Sequence, residues 1–365
     1  MTIDRFLQHR ASSWMTNEGE HADIAMSTRI RLARNLDDFR FPYVFSADEA
    51  LKIDKEVSAA LLDYGEELGH RFAHIDIQEL THLQKEILVE KHLISPYLAQ
   101  SEHPGSVLLS EDEDLSIMIN EEDHLRIQSL QPGFQLQEAY ERANQLDSML
   151  EKNLNYAFHE EYGYLTSCPT NTGTGMRASV MLHLPALTMS HQINRIIPAI
   201  SRLGMAVRGI YGEGSEALGN VYQISNQLTL GKSESDILED LQSMTEQIIE
   251  QEQKMREAIR SRSPISLEDR IYRSLGTLMY ARLLTTEEAA TCLSDVRLGI
   301  DLQLIDDVDM SILNELMIFM QPAFLQQFTG EQLQPKERDH ARAELFRKRL
   351  RQEKSINHTE GEDHV

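Results

Sequence analysis

The 365-residue chain is poor in cysteine, in aromatic residues and in basic charge. It has two cysteines, Cys168 and Cys292, one tryptophan, and 35 Lys and Arg against 59 Asp and Glu. Two cysteines so far apart make neither a disulfide framework nor a metal-ligand spacing, which points to a reducing, cytoplasmic setting. No apolar run approaches the roughly 18 residues that span a bilayer. The opening residues, MTIDRFLQHR, lack the apolar stretch of a signal peptide. A net charge of −24 argues against nucleic acid and anionic membrane as principal partners. Two common nucleotide-binding signatures are also missing. Gly231-Lys232-Ser233 resembles the end of a P-loop, but Asn226 stands where the first glycine is required. There is no Asp-Phe-Gly, and Arg338-Asp339 is not followed by a catalytic-loop asparagine, so the protein-kinase set is absent.

The hydrophobic pattern divides the chain in two. Ser46 and Glu49 form a capping box ahead of an apolar-periodic stretch reaching about residue 68. Short apolar runs at 72–77, 107–109, 115–119 and 125–130 read as strands, and Leu136, Tyr140, Ala143, Leu146 and Leu150 mark an amphipathic helix. Glycine-rich loops and strands fill 161–227, around one helix near 193–203. Beyond about 231 the spacing is helical, with a break at Ser261-Arg262-Ser263-Pro264, helices at 267–282, 286–299 and 310–328, and a basic helix at 336–354. The predicted fold is α+β. A catalytic domain over 1–254, with an antiparallel-type sheet flanked by helices, precedes a small all-α domain over 265–354 and a disordered tail over 355–365.

The chemistry-bearing residues are arginines beside loops. Arg29 and Arg31, in Ser27-Thr28-Arg29-Ile30-Arg31, share one face of an extended segment because strand side chains alternate. Arg126, Arg177 and Arg208 follow, the last two at Gly-rich turns. An arginine fork matches phosphate oxygens, so several converging on one place could bind a triphosphate without a P-loop. Taken singly, each is also compatible with a solvated surface residue.

The segments Asn120 to Arg126, Cys168-Pro169-Thr170-Asn171-Thr172-Gly173-Thr174-Gly175-Met176-Arg177-Ala178, and Arg208-Gly209-Ile210-Tyr211-Gly212-Glu213 resemble, in order, motifs of the phosphagen kinases, the creatine and arginine kinase family. Ser27 to Arg31 and His92 fit that family's nucleotide-contacting positions. The resemblance implies a phosphagen-kinase-like catalytic domain that uses ATP, with Mg²⁺ carried by the nucleotide and no dedicated protein metal cage. It implies Glu122 as the base that takes a guanidinium proton and Glu213 as a second carboxylate clamping the acceptor. Ser27, Thr28, Arg29, Ile30, Arg31, His92, Arg126, Arg177, Ala178, Arg208, Gly209, Ile210, Tyr211, Gly212 and Glu213 are the expected ATP-binding residues. For Glu122 and Glu213 the alternative is a solvated turn, and for His92 a polar residue at a helix C-terminus. Cys168 is expected beside the acceptor, where nearby arginines would favour its thiolate, or else as a small hydrophobe.

Small-guanidine kinases carry a helical domain before the Ser-x-Arg-x-Arg segment, which begins here at residue 27. The expectation is that this domain is absent, opening the acceptor site to bulky substrates. With Arg338-Asp339-His340-Ala341-Arg342-Ala343 near the end, the arrangement resembles the bacterial protein-arginine kinases along the whole chain. That resemblance implies transfer of the ATP γ-phosphate to arginines of proteins, marking them for regulated proteolysis in a stress response. It implies a zinc-binding activator protein, a heat-shock repressor as substrate, a AAA+ unfoldase–protease, and a homodimer or larger assembly. It also implies a phosphoarginine pocket at Arg338, Asp339 and Arg342, in a segment with eight basic and four acidic residues over 336–354. A small-guanidine kinase and a non-catalytic phosphoarginine-recognising adaptor are the rival readings.

Overall fold

The computed structural model describes residues 3–7, 12–64, 71–209 and 217–361. Ile210, Tyr211, Gly212 and Glu213 lie outside the described residues. The strands are β1 (Ala25–Arg34), β2 (Phe72–Asp76), β3 (Ser106–Ser110), β4 (Leu115–Ile119), β5 (Leu125–Pro132), β6 (Phe158–His159), β7 (Gly163–Tyr164), β8 (Met176–His183), β9 (Met205–Gly209) and β10 (Val221–Asn226). Eight of them form one sheet in the order β2-β3-β4-β5-β1-β8-β10-β9. Every neighbouring pair is antiparallel.

The helices are α1 (Ala47–Tyr64), α2 (His82–Glu90), α3 (Pro96–Gln100), α4 (Leu136–Glu151), α5 (Pro185–Met189), α6 (Ile193–Arg202), α7 (Glu234–Arg262), α8 (Pro264–Tyr280), α9 (Thr286–Asp301), α10 (Met310–Phe319), α11 (Pro322–Thr329) and α12 (Pro335–Gly361). The capping box expected at Ser46 and Glu49 starts α1, with Glu49 Oε2 accepting from Ser46 N at 2.8 Å. One sheet face carries Ile30, Leu32, Ile127, Ala178, Val180 and Ile224 and buries them against α1, α4 and α7. At about 25 cal/mol per Å² of apolar surface removed from water, this is the main term holding helices to sheet.

The opposite face is divided. Toward the β2 edge, Ile75, Val107, Leu109, Met118 and Leu130 join Trp14 and the helices from α8 onward in a second core. The C-terminal helices therefore share a core with the sheet and the N-terminal segment. The helix expected at 310–328 is two, because Pro322 forces Gln321 into extended backbone (ψ 156°) and starts α11 at its own first turn. The final helix runs past 354 to Gly361, with no proline or glycine between Pro335 and Gly361 to interrupt it; the tail expected to be disordered from 355 is helical to 361.

Candidate active site

Strand alternation decides which side chains reach the open middle of the second face. Arg29 and Arg31 project from β1, with Arg31 directly opposite Gln128 of β5 and Arg177 of β8. Arg126 lies opposite Ala33, and Arg208 of β9 opposite Gln223 of β10, on that same face. Five strands thus each contribute a polar side chain to one surface.

Two cavities meet there. The larger, about 490 Å³, is bounded by Arg29, Arg31, Arg126, Arg208, His92 and Gln223, with α2 and Pro322 on its far side. The smaller, about 190 Å³, is bounded by Glu122, Cys168, Asn171, Arg177, Arg31 and Arg126. Arg31 and Arg126 belong to both and form the seam between them.

The cationic character of this surface is concentrated. Burial, then Arg177 and Arg126, lower the Arg29 guanidinium to about 10. Burial and then Arg29, Arg126 and Arg177 hold Arg31 well below the usual arginine range. Arg31 Nε is buried and has no hydrogen-bond partner among the described residues. Crowded cations with a buried donor aimed among them form a surface suited to an anion.

Glu122 stands at the smaller cavity, where burial raises its carboxyl above the ordinary range; Arg126 opposes the shift, while Glu121 and Asp123 reinforce it. Arg126 reaches Glu121 Oε1 at 2.6 Å and Glu122 Oε2 at 3.0 Å. The acidic loop is fixed to the cysteine loop by Asp123, whose Oδ1 accepts from Ser167 N and from Asn35 Nδ2, each at 2.6 Å. The cysteine loop is pinned in turn by Thr229, whose Oγ1 donates to the carbonyls of Thr170 (2.9 Å) and Thr172 (2.7 Å). Gly173 takes φ +116°, and a Cβ there would lie 2.3 Å from the Thr229 carbonyl oxygen, so only glycine fits. Cys168 Sγ lies 3.0 Å from Thr170 Oγ1.

His92 sits at φ +60° just past α2, edge-on to Trp14 with ring centroids 5.5 Å apart. Burial, aided by Arg29, lowers its pKa to about 3. It is a neutral ring on the larger cavity, so the favourable helix-dipole contact of a cationic histidine does not explain its place. Ser27 lines a crevice beside Arg29 and His92. Thr28, Ile30 and Ala178, expected among the nucleotide contacts, turn their side chains to the other face. Thr28 Oγ1 donates to the Gly133 carbonyl at 2.8 Å, and Ile30 and Ala178 lie in the helix-covered core. Period-two alternation makes this unavoidable once Arg29, Arg31 and Arg177 face the cavity.

The C-terminal trio is not arranged as expected. Arg342 is buried, donating to the carbonyls of Met320 (3.0 Å) and Leu284 (2.7 Å) and to Asp339 Oδ1 (2.8 Å). Arg338 lines a cleft of about 800 Å³ between α2 and α11. Helical spacing put Arg338 and Arg342 on one side, but packing against α10 and α11 takes up the Arg342 turn. Sequence reasoning passed over Glu121, Asp123 and Gln223; the first two sit inside the quoted acidic motif, while only strand register brings Gln223 to Arg29, whose Nη2 donates to its Oε1 at 2.8 Å.

A family model described as ATP:guanido phosphotransferase, C-terminal catalytic domain, matches residues 52–255. A second, for the protein-arginine kinase McsB C-terminal domain, matches residues 264–361. The chain is 57% identical over 355 residues to a protein-arginine kinase from Geobacillus stearothermophilus, covering 97% of each. It is 55% identical over 362 residues to that of Bacillus subtilis (strain 168), covering 99% of each. Among solved structures, lombricine kinase superposes with a TM-score of 0.56 at 26% identity, covering 68% of this chain and 70% of that one. A taurocyamine kinase from Schistosoma mansoni, with bound transition-state analogue components, gives 0.56 at 26%, covering 69% of this chain and 36% of that one. By these matches, which span both halves of the sequence at more than half identity, the chain belongs to the protein-arginine kinase family.

Proposed function

We propose that this chain transfers the γ-phosphoryl group of ATP to arginine side chains of proteins. The observation that carries the reading is the seam: Arg31 and Arg126 border both a large cationic cavity suited to a triphosphate and a small carboxylate-bearing cavity suited to a guanidinium. The γ-phosphorus then lies at the junction of the two. Glu122 takes a proton from the acceptor guanidinium, the freed nitrogen attacks the γ-phosphorus in line, the bond from phosphorus to the β,γ-bridging oxygen breaks, and ADP leaves. A guanidinium is cationic up to a pKa above about 12, so its nitrogen needs both a base and strict alignment. Alignment of this kind can contribute up to about 7–11 kcal/mol. The arginines answer the charge spread over the transferring oxygens. Mg²⁺ would travel with the nucleotide, held by phosphate oxygens and water. Glu213 is proposed as the second acceptor clamp.

Family membership supports the wider proposals: marking of proteins for regulated proteolysis under stress, a heat-shock repressor as substrate, a zinc-binding activator, a AAA+ unfoldase–protease, a dimeric or larger assembly, and a cytoplasmic location. Among the described residues no helix is long and apolar enough to cross a membrane. A phosphoarginine site on the C-terminal helix is proposed with Arg338 as the phosphate contact, and Asp339 and Arg342 holding the helix in place.

The test of the central reading is mass spectrometry of a substrate protein incubated with labelled ATP. Acid-labile phosphate on arginine is expected, absent with Glu122→Ala; phosphate stable to acid, or full labelling by the variant, would refute it.

A further inference from the structure

Beside the acidic loop that bears Glu122 lies exposed aromatic surface that phosphoryl transfer does not use. Tyr43 is 65% exposed, Val44 64% and Tyr97 50%. Large apolar side chains gathered in water mark interaction sites. These three are held from beneath. The Phe41 carbonyl accepts from Val44 N (2.9 Å) and Phe45 N (3.0 Å), closing a turn that turns Tyr43 and Val44 outward. Phe41 packs edge-on against His124 at 6.0 Å and Phe45 stacks on it at 6.2 Å. His124 Nδ1 accepts from Leu36 N at 3.0 Å, and Nε2 lies 3.0 Å from the Arg40 carbonyl oxygen, so the imidazole is a neutral rivet two residues from Glu122. Tyr97 stands on α3, whose N-cap Ser95 donates to Glu121 Oε1 at 2.6 Å. The two tyrosines are thus anchored separately to the loop that bears Glu122. The Tyr43 phenol also stands beside Tyr97 and within the field of Glu122 and Cys168.

We propose that Tyr43, Val44 and Tyr97 form a docking rim for the polypeptide segment flanking a target arginine. The proposal rests on the protein-arginine kinase reading and names how that enzyme holds its substrate. The occupant follows from continuity: a cavity of about 190 Å³ takes one side chain and leaves the backbone that carries it at the mouth. Tyrosines suit such a role, because a flat ring with a hydroxyl offers apolar contact and a hydrogen bond at low entropy cost. They can therefore grip an extended segment whose sequence varies. The acidic chain, at −24, complements a partner bearing arginines.

The experiment compares wild type, a Tyr43→Ser, Tyr97→Ser double variant and a Tyr43→Phe, Tyr97→Phe double variant on β-casein and on Nα-acetyl-arginine amide. The serine variant is expected to raise the casein KM about tenfold, a loss of ordinary hot-spot size, with kcat, the KM for ATP and turnover of the blocked arginine within about twofold. The phenylalanine variant should recover most of the casein KM. An unchanged casein KM, or equal losses on both acceptors, would overturn the rim. Wild-type enzyme that labels the blocked arginine but not casein would sink the protein-kinase reading itself, and the rim with it, before any variant is measured.

Discussion

Arg31 on β1 and Arg177 on β8 lie directly opposite one another across an antiparallel strand pair. Like charges in that relation destabilise a sheet, and burial adds to the cost at Arg31. The arrangement makes sense when a polyanion lies over it. Without nucleotide, Arg177→Ala should therefore melt at the same temperature as wild type or higher, while phosphoryl transfer falls by on the order of 10³. Adding ATP should stabilise wild type more than the variant, by mass action. Differential scanning fluorimetry and labelled-ATP turnover check both halves. Arg208→Ala should lose activity in the same way, and near-normal turnover in either variant with an unchanged circular dichroism spectrum contradicts the phosphate-cage assignment.

Glu122 supplies a pH dependence. Its carboxyl is raised above the ordinary range by burial, and as a base it acts only when ionised. Activity should rise with pH through that elevated pKa, so the acid limb of kcat against pH lies above the usual carboxylate range of about 4.3. Glu122→Gln should erase the limb and lower kcat by about 10²–10⁴. A limb that survives in the variant assigns the base elsewhere.

Glu90 affects stability. Its carboxylate caps α11, accepting from Ala323 N (2.8 Å) and Phe324 N (3.1 Å), yet burial raises its pKa to about 7. The folded state then holds a proton that the unfolded state has released. From about pH 4.5, the unfolded value, to about pH 7, stability contributed by this group falls as pH rises. Glu90→Gln, which keeps an acceptor without the charge, should gain on wild type at pH 8 and lose that gain at pH 5.5. Thermal midpoints at the two values decide it; a gain independent of pH would show the carboxylate is not the titrating group.

Arg342 and Arg338 should separate structure from binding. Arg342→Ala strips α12 of its ties to the Leu284 and Met320 carbonyls and should cost roughly 3 kcal/mol or more, as losses of buried charged partners do. Arg338→Ala should change stability by less than about 0.5 kcal/mol, as surface substitutions do, while weakening capture of a phosphoarginine peptide. Denaturant titration and peptide binding of both variants test this, and a peptide affinity unaffected by Arg338→Ala moves the pocket off this helix.

Cys168→Ser should lower turnover without abolishing it, because direct in-line transfer needs no covalent enzyme intermediate and the thiol borders the acceptor cavity. Trapping a phosphocysteine during turnover would overturn this.

Much of this protein is written in local pattern. The capping box at Ser46, the apolar periods of α4 and α7, the break ahead of Pro264 and the family motifs around Glu122, Cys168 and Arg208 are all short-range signals, each set by neighbouring residues. Alternation along β1 alone places Arg29 and Arg31 on one face. What no local rule supplies is register. Arg177 meets Arg31, and Gln223 meets Arg29, only because β8 lies beside β1 and β10 beside β8 at particular offsets. Once Arg29, Arg31 and Arg177 face the cavity, local alternation turns Thr28, Ile30 and Ala178 away from it. Packing likewise decided the C-terminal helix: spacing aligns Arg338 with Arg342, but burial against Met320 and Leu284 makes one a tie within the fold and leaves the other on a cleft. Helical and strand periods are properties of a few consecutive residues; which face is covered, and by what, is settled by contacts between residues far apart in the sequence.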